Sequence, residues 1–375
     1  MKTHFYIIFV VAFAILTSCG GGNALSVSAE GVEVEMEYAD LLSMKQCDGY
    51  IYAEIRNPWD TFSVLHSYIL IDKNDPVPAR LPKGDVVRIP LSNSVVYTLV
   101  HCALIDELGA YDEIKGVCDL RYITIDKVQQ DVKTGKIRDL GEGLNPNIED
   151  VIEMSPDAIL LSPFQNDGGY GRLAKLGIPI IECADYMETS ALGRAEWMKF
   201  YGLLYGRVET ADSLFRGIVS RYQQLKQLAA SVEEKPTVVT DLKYGAMWYV
   251  PAGGSTTGRL LADAGADYIF KDYPESGNLT LAPETVFDKA AHAQYWIIRY
   301  NQATDKTYDE LAQEYSNYAQ MSAFVHHNIY ACNTERIPFY SEAPFHPDLL
   351  LRDFILIFHP DILKGEKTRY YKKMP

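Results

Sequence analysis

ADYMETSALGRAEWMKFYGLLYGRVETADSLFRGIVSRYQQLKQLAAS, residues 184–231, is the longest helical pattern in the chain and sits near its middle. Its second half, 208–230, places Val208, Ala211, Leu214, Phe215, Ile218, Tyr222 and Leu225 at the i, i+3, i+4 spacing of one helix face. Glu209, Asp212, Arg216, Arg221 and Lys226 occupy the other face, and Gly206 and Pro236 punctuate the ends. At ~1.5 Å per residue this helix is roughly 34 Å long, about the span of a small domain, so it joins two lobes without lying inside either. The first half, 184–205, closes the first lobe with an amphipathic helix and sets Tyr186 at its rim.

On both sides the chain reads as α/β. Residues 33–80 alternate weakly and are broken by Asn57-Pro58, Asp75-Pro76 and Pro78, which predicts a few strands at the edge of the first lobe. From Gly84 strand and helix units take over. A strand at 86–91, a polar loop of Ser92, Asn93 and Ser94, a helix at 95–108 stopped by Gly109, and a strand at 114–118 come first. A helix from Asn145-Pro146 to Met154, a strand at 158–162, a loop at 163–171, a helix at 170–176 and a strand at 178–182 follow. Past the long helix come a strand at 237–241, the loop Gly253-Gly254-Ser255, a helix at 257–264, a strand at 268–270, and closing helices at 308–318 and 346–358. Leu108-Gly109-Ala110 is echoed by Ala264-Gly265-Ala266, and Glu149-Asp150-Val151 by Glu284-Thr285-Val286, so two lobes of similar topology are expected. The fold class is α/β: two Rossmann-like lobes with parallel sheets, one long helix between them and a cleft where the lobes meet.

Charge and cysteines narrow the function. A formal net charge of −15 with no basic stripe excludes nucleic acid, whose phosphates demand clustered Lys and Arg. Lys2, an apolar run at 5–16 and Leu16-Thr17-Ser18-Cys19 form a secretion signal over 1–18; twelve apolar residues fall short of the ~20 needed to span a bilayer. Leu-Thr-Ser-Cys is similar to the lipobox of bacterial lipoproteins, which makes Cys19 the acylated first residue and 19–35 a flexible tether opened by Gly20, Gly21, Gly22 and Asn23. The mature domains are then 36–205, the helix at 206–235, and 236–375. Cys47, Cys102, Cys118, Cys183 and Cys332 remain, an odd set without metal-knuckle spacing, so at least one thiol is unpaired and a structural zinc is not expected.

Enzymatic motifs are wanting. Gly253-Gly254-Ser255-Thr256-Thr257-Gly258 sits at a helix start, where backbone N–H groups meet anions, but lacks a Walker lysine. There is no GxSxG elbow, and no spacing of Ser, His and Asp selects a triad. His326 and His327 are adjacent, so they cannot face one site on a regular strand, and His66, His101, His292, His346 and His359 are isolated; these read as solvated or capping histidines, with a histidine from each lobe meeting a metal as the other reading.

What recurs is aromatic and polar residues at the predicted carboxyl ends of strands, where α/β sheets bind ligands. In the first lobe these are Asn93, Ser94, Tyr122, Phe164, Gln165 and Tyr186; in the second they are Trp248, Gly254, Ser255, Tyr300, Phe339 and Tyr340. Two facing rims of aromatics with few charges suit a large, partly apolar ligand.

The order and spacing of 86–110, Ile114-Lys115-Gly116-Val117, 144–149, Pro156-Asp157-Ala158-Ile159, Leu176-Gly177-Ile178-Pro179 and 260–266 resemble the helical-backbone (class III) substrate-binding proteins of bacterial importers for ferric siderophores, haem and cobalamin. Residues 184–200 and the C-terminal FHPDLLLRD look like a Bacteroidetes-type subgroup of these lipoproteins. The resemblance implies a periplasmic, lipid-anchored monomer without catalytic residues or resident cofactor, which passes a ferric chelate, haem or cobalamin to an ABC permease and ATPase. It also implies a permease-docking acid on each lobe. Asp167 stands in the first, whereas Gly254 or Ser255 falls where the second is expected. Capture of a free metal ion, a chelatase-like enzyme, and a lipoprotein that binds a partner protein are the other readings.

Overall fold

A computed structural model describes residues 29–60, 62–165 and 169–375. The expected signal peptide, Cys19, the tether up to residue 28 and Asp167 lie outside the described residues.

Five strands, Val32–Val34, Leu42–Cys47, Tyr50–Arg56, Val64–Asp72 and Asp85–Ile89, make one sheet in chain order. The first four pair antiparallel and the last joins its neighbour in parallel. The strand expected at 86–91 therefore belongs to this N-terminal sheet. The first lobe's own sheet begins at Ser94–Val96, a stretch whose sequence predicts the start of a helix. All three residues are wholly buried, so no polar alternation marks them as a strand. The helix opens only at Leu99–Glu107, where the Thr98 hydroxyl accepts a hydrogen bond from the His101 backbone N–H.

The first lobe orders its parallel strands Ile180–Glu182, Ala158–Leu161, Ser94–Val96, Ile114–Val117, Arg138–Asp139. Counted within the lobe this is 5-4-1-2-3. In the second lobe the order is Asp267–Tyr268, Thr237–Thr240, Tyr295–Tyr300, Ile329–Asn333, with Lys372–Lys373 antiparallel at the edge, or 2-1-3-4-5. The lobes thus share a strand-and-helix rhythm without sharing a topology, which corrects the expectation of two similar copies; βαβ units resemble one another by packing alone. Lys243–Tyr244, Met247–Pro251 and Asn278–Leu281 form a separate antiparallel sheet beside the second lobe.

The spacer helix is Val208–Ala230, as the apolar rhythm predicts. It buries Ala211, Phe215, Ile218, Tyr222 and Ala229 against the helices Met198–Leu204 and Pro347–Phe358. Side chains such as Phe215 and Ile218 each contribute about 1.5–3 kcal/mol by leaving water. Gly206, at φ 65°, ends the preceding helix in a left-handed turn that a side chain would strain. Residues 184–205 differ from the expected amphipathic helix. Ala191–Glu196 and Met198–Leu204 are two short helices meeting at Trp197, and Trp197, Met198, Phe200, Tyr201, Leu204 and Tyr205 are all buried.

Two buried carboxylates in this region hold residues 37–41. Glu196 accepts the backbone N–H of Glu37, Tyr38 and Ala39 at 3.0, 2.7 and 2.9 Å. Glu188 accepts those of Asp40 and Leu41 at 3.0 and 2.9 Å, and the Trp197 indole N–H at 2.8 Å. A strap at residues 37–41 is thereby fixed beside the spacer helix, with the Tyr38 ring edge-on to Phe215.

Candidate functional site

In an open parallel sheet, ligands bind beyond the carboxyl ends of strands at the point where strand order reverses. For the first lobe that point lies between Ser94–Val96 and Ala158–Leu161. A cavity of about 580 Å³ opens there. Tyr97 and Thr98 come from the end of the first strand, Ser162 and Phe164 from the end of the fourth, and Asp119 from just past the second. Leu144 reaches in from the hairpin that pairs Gly141–Glu142 with Asn145–Pro146. Beneath lies a small separate core that includes Val95, Cys118, Ile148, Ile159 and Leu161. At the mouth, Leu144 is 96% exposed and Phe164 61%, apolar surface that folding has left uncovered. Burial pushes the Cys118 thiol up to about 12, so the sulfur stays protonated and inert.

The sequence-expected contacts divide. Phe164 lines this cavity, and Gln165 is exposed beside it. Tyr122 is 63% exposed on the turn after Ile114–Val117, with the Arg121 guanidinium 4.7 Å from its ring centre. Tyr186 follows Ile180–Glu182 and donates its hydroxyl to the Pro163 carbonyl at 2.5 Å, which braces the Phe164 loop. Tyr300 ends the central strand of the second lobe, and its hydroxyl accepts the Lys306 N–H at 2.9 Å. Tyr340 is 48% exposed on the short helix Phe339–Glu342.

Other expected contacts are corrected. Asn93 precedes the strand Ser94–Val96 and Ser94 opens it, so they sit at the end of the sheet opposite the cavity. Asn93 donates to the Met154 carbonyl, and Ser94 is wholly buried between Glu113 and Tyr205. Trp248 is wholly buried, with its indole N–H on the Thr240 carbonyl, because its strand is antiparallel and belongs to the side sheet. Phe339 is buried against Tyr370 and Tyr371. Ser255 is a buried N-cap that accepts the Gly258 N–H and donates to the Ala252 carbonyl. Gly254 packs on backbone, since a Cβ there would fall 2.2 Å from the Pro274 carbonyl oxygen.

Several residues of the site escaped sequence reading. Tyr97 and Thr98 could be found only once 94–96 is recognised as a strand. In the second lobe, Arg299 and Asp241 occupy the corresponding reversal point, with Arg299 Nη2 donating to the Asp241 carboxylate at 3.2 Å and its guanidinium 5.4 Å from the Phe339 ring centre. The available signal was the charge itself, an arginine inside the apolar run YWIIRY at residues 295–300.

The lobes meet through polar groups as well as apolar ones. His101 is buried, against the expectation of a solvated or capping residue, with Nε2 2.8 Å from Asp185 and the Tyr201 hydroxyl donating to the same carboxylate at 2.9 Å. Arg194 donates to the other Asp185 oxygen at 3.0 Å, and Phe345 of the second lobe packs on His101 and Tyr201. Burial alone disfavours the imidazolium, yet Cys183 and Asp185 raise His101 to about 10, so it is charged at neutral pH. Farther out, His346 of the second lobe pairs with Glu107 of the first at 2.8 Å across a groove of about 480 Å³. The other half-buried histidine, His66, lies between Asp85 and Glu182, and His359 caps the Ala264 carbonyl. All five described cysteines are buried and unpaired. Among the described residues, no group of three or more His, Cys, Asp or Glu is placed to hold a metal ion, and no helix is long and apolar enough to cross a membrane.

Two parallel-sheet lobes on one rigid helix, with a cavity at a strand-order reversal, define a class of solute-binding protein. Residues 95–335 match the model of the periplasmic binding protein family, and the chain belongs to that family. As a member it is a periplasmic binding protein. An uncharacterized lipoprotein of Methanocaldococcus jannaschii is 26% identical over 322 residues, covering 82% of this chain and 75% of its own length. A periplasmic haem binding protein from Pseudomonas aeruginosa superposes with a TM-score of 0.57 at 14% identity, over 76% of this chain and 98% of that one. A protein of an ABC-type Fe3+-hydroxamate transport system from Saccharomonospora viridis gives 0.55 at 16% identity, over 73% and 96%. At these identities the two solved structures share the fold.

Proposed function

We propose that this protein is a periplasmic lipoprotein, anchored through Cys19, that captures a ferric siderophore, haem or cobalamin and delivers it to its permease and ATPase. The observation that carries the reading is the first-lobe cavity of about 580 Å³, a volume suited to one sizeable ligand, with uncovered apolar side chains at its mouth. Tyr97, Thr98, Tyr122, Phe164, Gln165 and Tyr186 supply the first-lobe contacts, and Tyr300, Tyr340 and Arg299 the second-lobe ones. Aromatic faces cover the ligand, and the few polar groups orient it. That structural relatives include a haem binding protein and a protein of an Fe3+-hydroxamate transport system supports a metal chelate over other solutes. Asp167 serves as the first lobe's docking acid, the protein acts as a monomer, and the Bacteroidetes-type lipoproteins are its subgroup.

Titration with a ferric hydroxamate, haem and cobalamin, followed through the ligand's visible absorbance and by calorimetry, tests this. Saturable one-to-one binding of at least one of them is expected, and binding of none would reject it. Free metal-ion capture lacks a donor cluster among the described residues.

A further inference from the structure

Asp119 is the sole acid among the described residues lining the first-lobe cavity. It is half-buried, and its carboxylate has no hydrogen-bond or ion-pair partner among the described residues. Its backbone is held left-handed at φ 50°, with the N–H on the Gly141 carbonyl, so the hairpin fixes where this side chain points. Across from it the hairpin carries Gly143, where a Cβ would stand 2.6 Å from Asp119 Oδ2 and 3.2 Å from the Tyr97 ring. The room for the carboxylate thus depends on the missing side chain at Gly143.

Cations do not neutralise Asp119. Arg121 is already paired with Glu142 at 3.5 Å, and both are largely exposed. Arg172 lines the same cavity but is exposed, so water screens it. The chain as a whole is strongly acidic, at −15. A polyanionic chelate would therefore meet a like charge where water is partly excluded, and a neutral one would leave the carboxylate desolvated without a partner. A ligand with an ammonium on its flank satisfies the carboxylate and follows the protein's field inward.

We infer that Asp119 is a specificity-determining residue, selecting metal chelates that present an ammonium group to the first lobe over neutral or polyanionic ones. This rests on the chelate-binding reading above and narrows its ligand class. Discrimination here is a difference between two affinities, set as much by the penalty on the wrong ligand as by contacts to the right one.

The test uses two chelates of the same metal and shape: ferrioxamine B, a ferric hydroxamate with one free ammonium, and its N-acetyl derivative, which lacks that charge. The full-length protein should bind the ammonium form about tenfold tighter, the effect of one charge-assisted hydrogen bond. In Asp119→Asn the ratio should fall to near one, mainly through weaker binding of the ammonium form. Gly143→Ala should also reduce it, by displacing the carboxylate. Equal affinities in the unmodified protein, a measurement independent of any variant's folding, would overturn the inference while leaving the chelate reading standing. A ratio unchanged in a folded Asp119→Asn protein would do the same. Failure of both forms, together with haem and cobalamin, would remove the chelate reading and this refinement with it.

Discussion

The two lobes handle the same topological position in opposite ways. In the first, the loops leaving Ser94–Val96 and Ala158–Leu161 part, and Tyr97, Thr98, Ser162 and Phe164 border an open cavity. At the matching position of the second, Trp248 and Trp296 donate their indole N–H groups to the Thr240 and Asp241 carbonyls at the end of the first strand. Those rings and Tyr318 stand 4.8–6.0 Å apart, centre to centre, and the Asp241–Arg299 pair closes the surface beside them. A reversal of strand order creates an opportunity for binding, and side-chain volume decides whether it stays open. The lobe that kept its opening also carries an unpartnered acid, whereas the closed one has matched its charges.

The largest test of this contrast removes the filling. Trp248→Ala should cost about 3–5 kcal/mol in denaturant unfolding, the range for a large buried aromatic, while the folded fraction keeps its ligand affinity. A loss below about 1 kcal/mol would mean that the second lobe is not closed by packing.

His101→Ala should cost about 2–4 kcal/mol, because it leaves a cavity and leaves the buried Asp185 carboxylate with only Arg194 and Tyr201 as partners among the described residues. Here pH gives a separate signature. His101 is raised in the fold, to about 10, so its contribution is complete below about pH 6.5 and fades as pH climbs through about 10. Asp185 is lowered, with burial opposing and His101 and Arg194 driving the shift, so its contribution holds above about pH 4 and is lost in acid. Melting temperatures across pH 6 to 10 should decline more steeply in the natural protein than in the variant; parallel curves would reject the buried pair.

Phe164→Ala should weaken ligand binding by about 1–2 kcal/mol and change stability by less than about 0.5 kcal/mol, since the ring is mostly exposed. The converse pattern would place Phe164 in the core and the site elsewhere. The smallest effect belongs to His346→Gln. The Glu107 partner raises His346 although burial opposes it, so the pair is formed below about pH 6.5 and lost above its raised value. Partly exposed, it should be worth about 0.2–1 kcal/mol at pH 6 and progressively less as pH rises, measured as a difference in unfolding midpoint.

The chain was most legible where one physical signal acted alone. Val208–Ala230 has its apolar stripe on one face, so the period of 3.6 locates it. Ala158–Leu161 is wholly apolar between a helix stop and a loop, and reads as a buried parallel strand. Ser94–Val96 is hidden because only Tyr97 and the N-cap Thr98 stand between it and the helix, with no Gly or Pro to separate the periods. The consequence reaches the site: a helix starting at 95 puts Asn93 and Ser94 at the wrong end of the sheet and gives Tyr97 and Thr98 no place at a strand end. Trp248 misled for a different reason. The rule that ligands gather at carboxyl ends holds for parallel strands, and single-strand patterning does not distinguish Met247–Pro251 as antiparallel. Asp119 and Gly143 lie on a turn and a hairpin whose proximity depends on three-dimensional closure, which spacing along the chain does not encode.

The strap at residues 37–41 has a mechanical consequence. Glu188 and Glu196 grip it beside Phe215 of the spacer helix, near the line about which the lobes are joined. Any pull along the chain first loads the edge strand Val32–Val34 of the N-terminal sheet, and the strap lies between that strand and the rest of the fold. Load entering at that strand is shared between its ladder to Leu42–Cys47 and the five backbone N–H bonds from residues 37–41 to Glu188 and Glu196, so it is spread over two attachments before it reaches the helix Val208–Ala230.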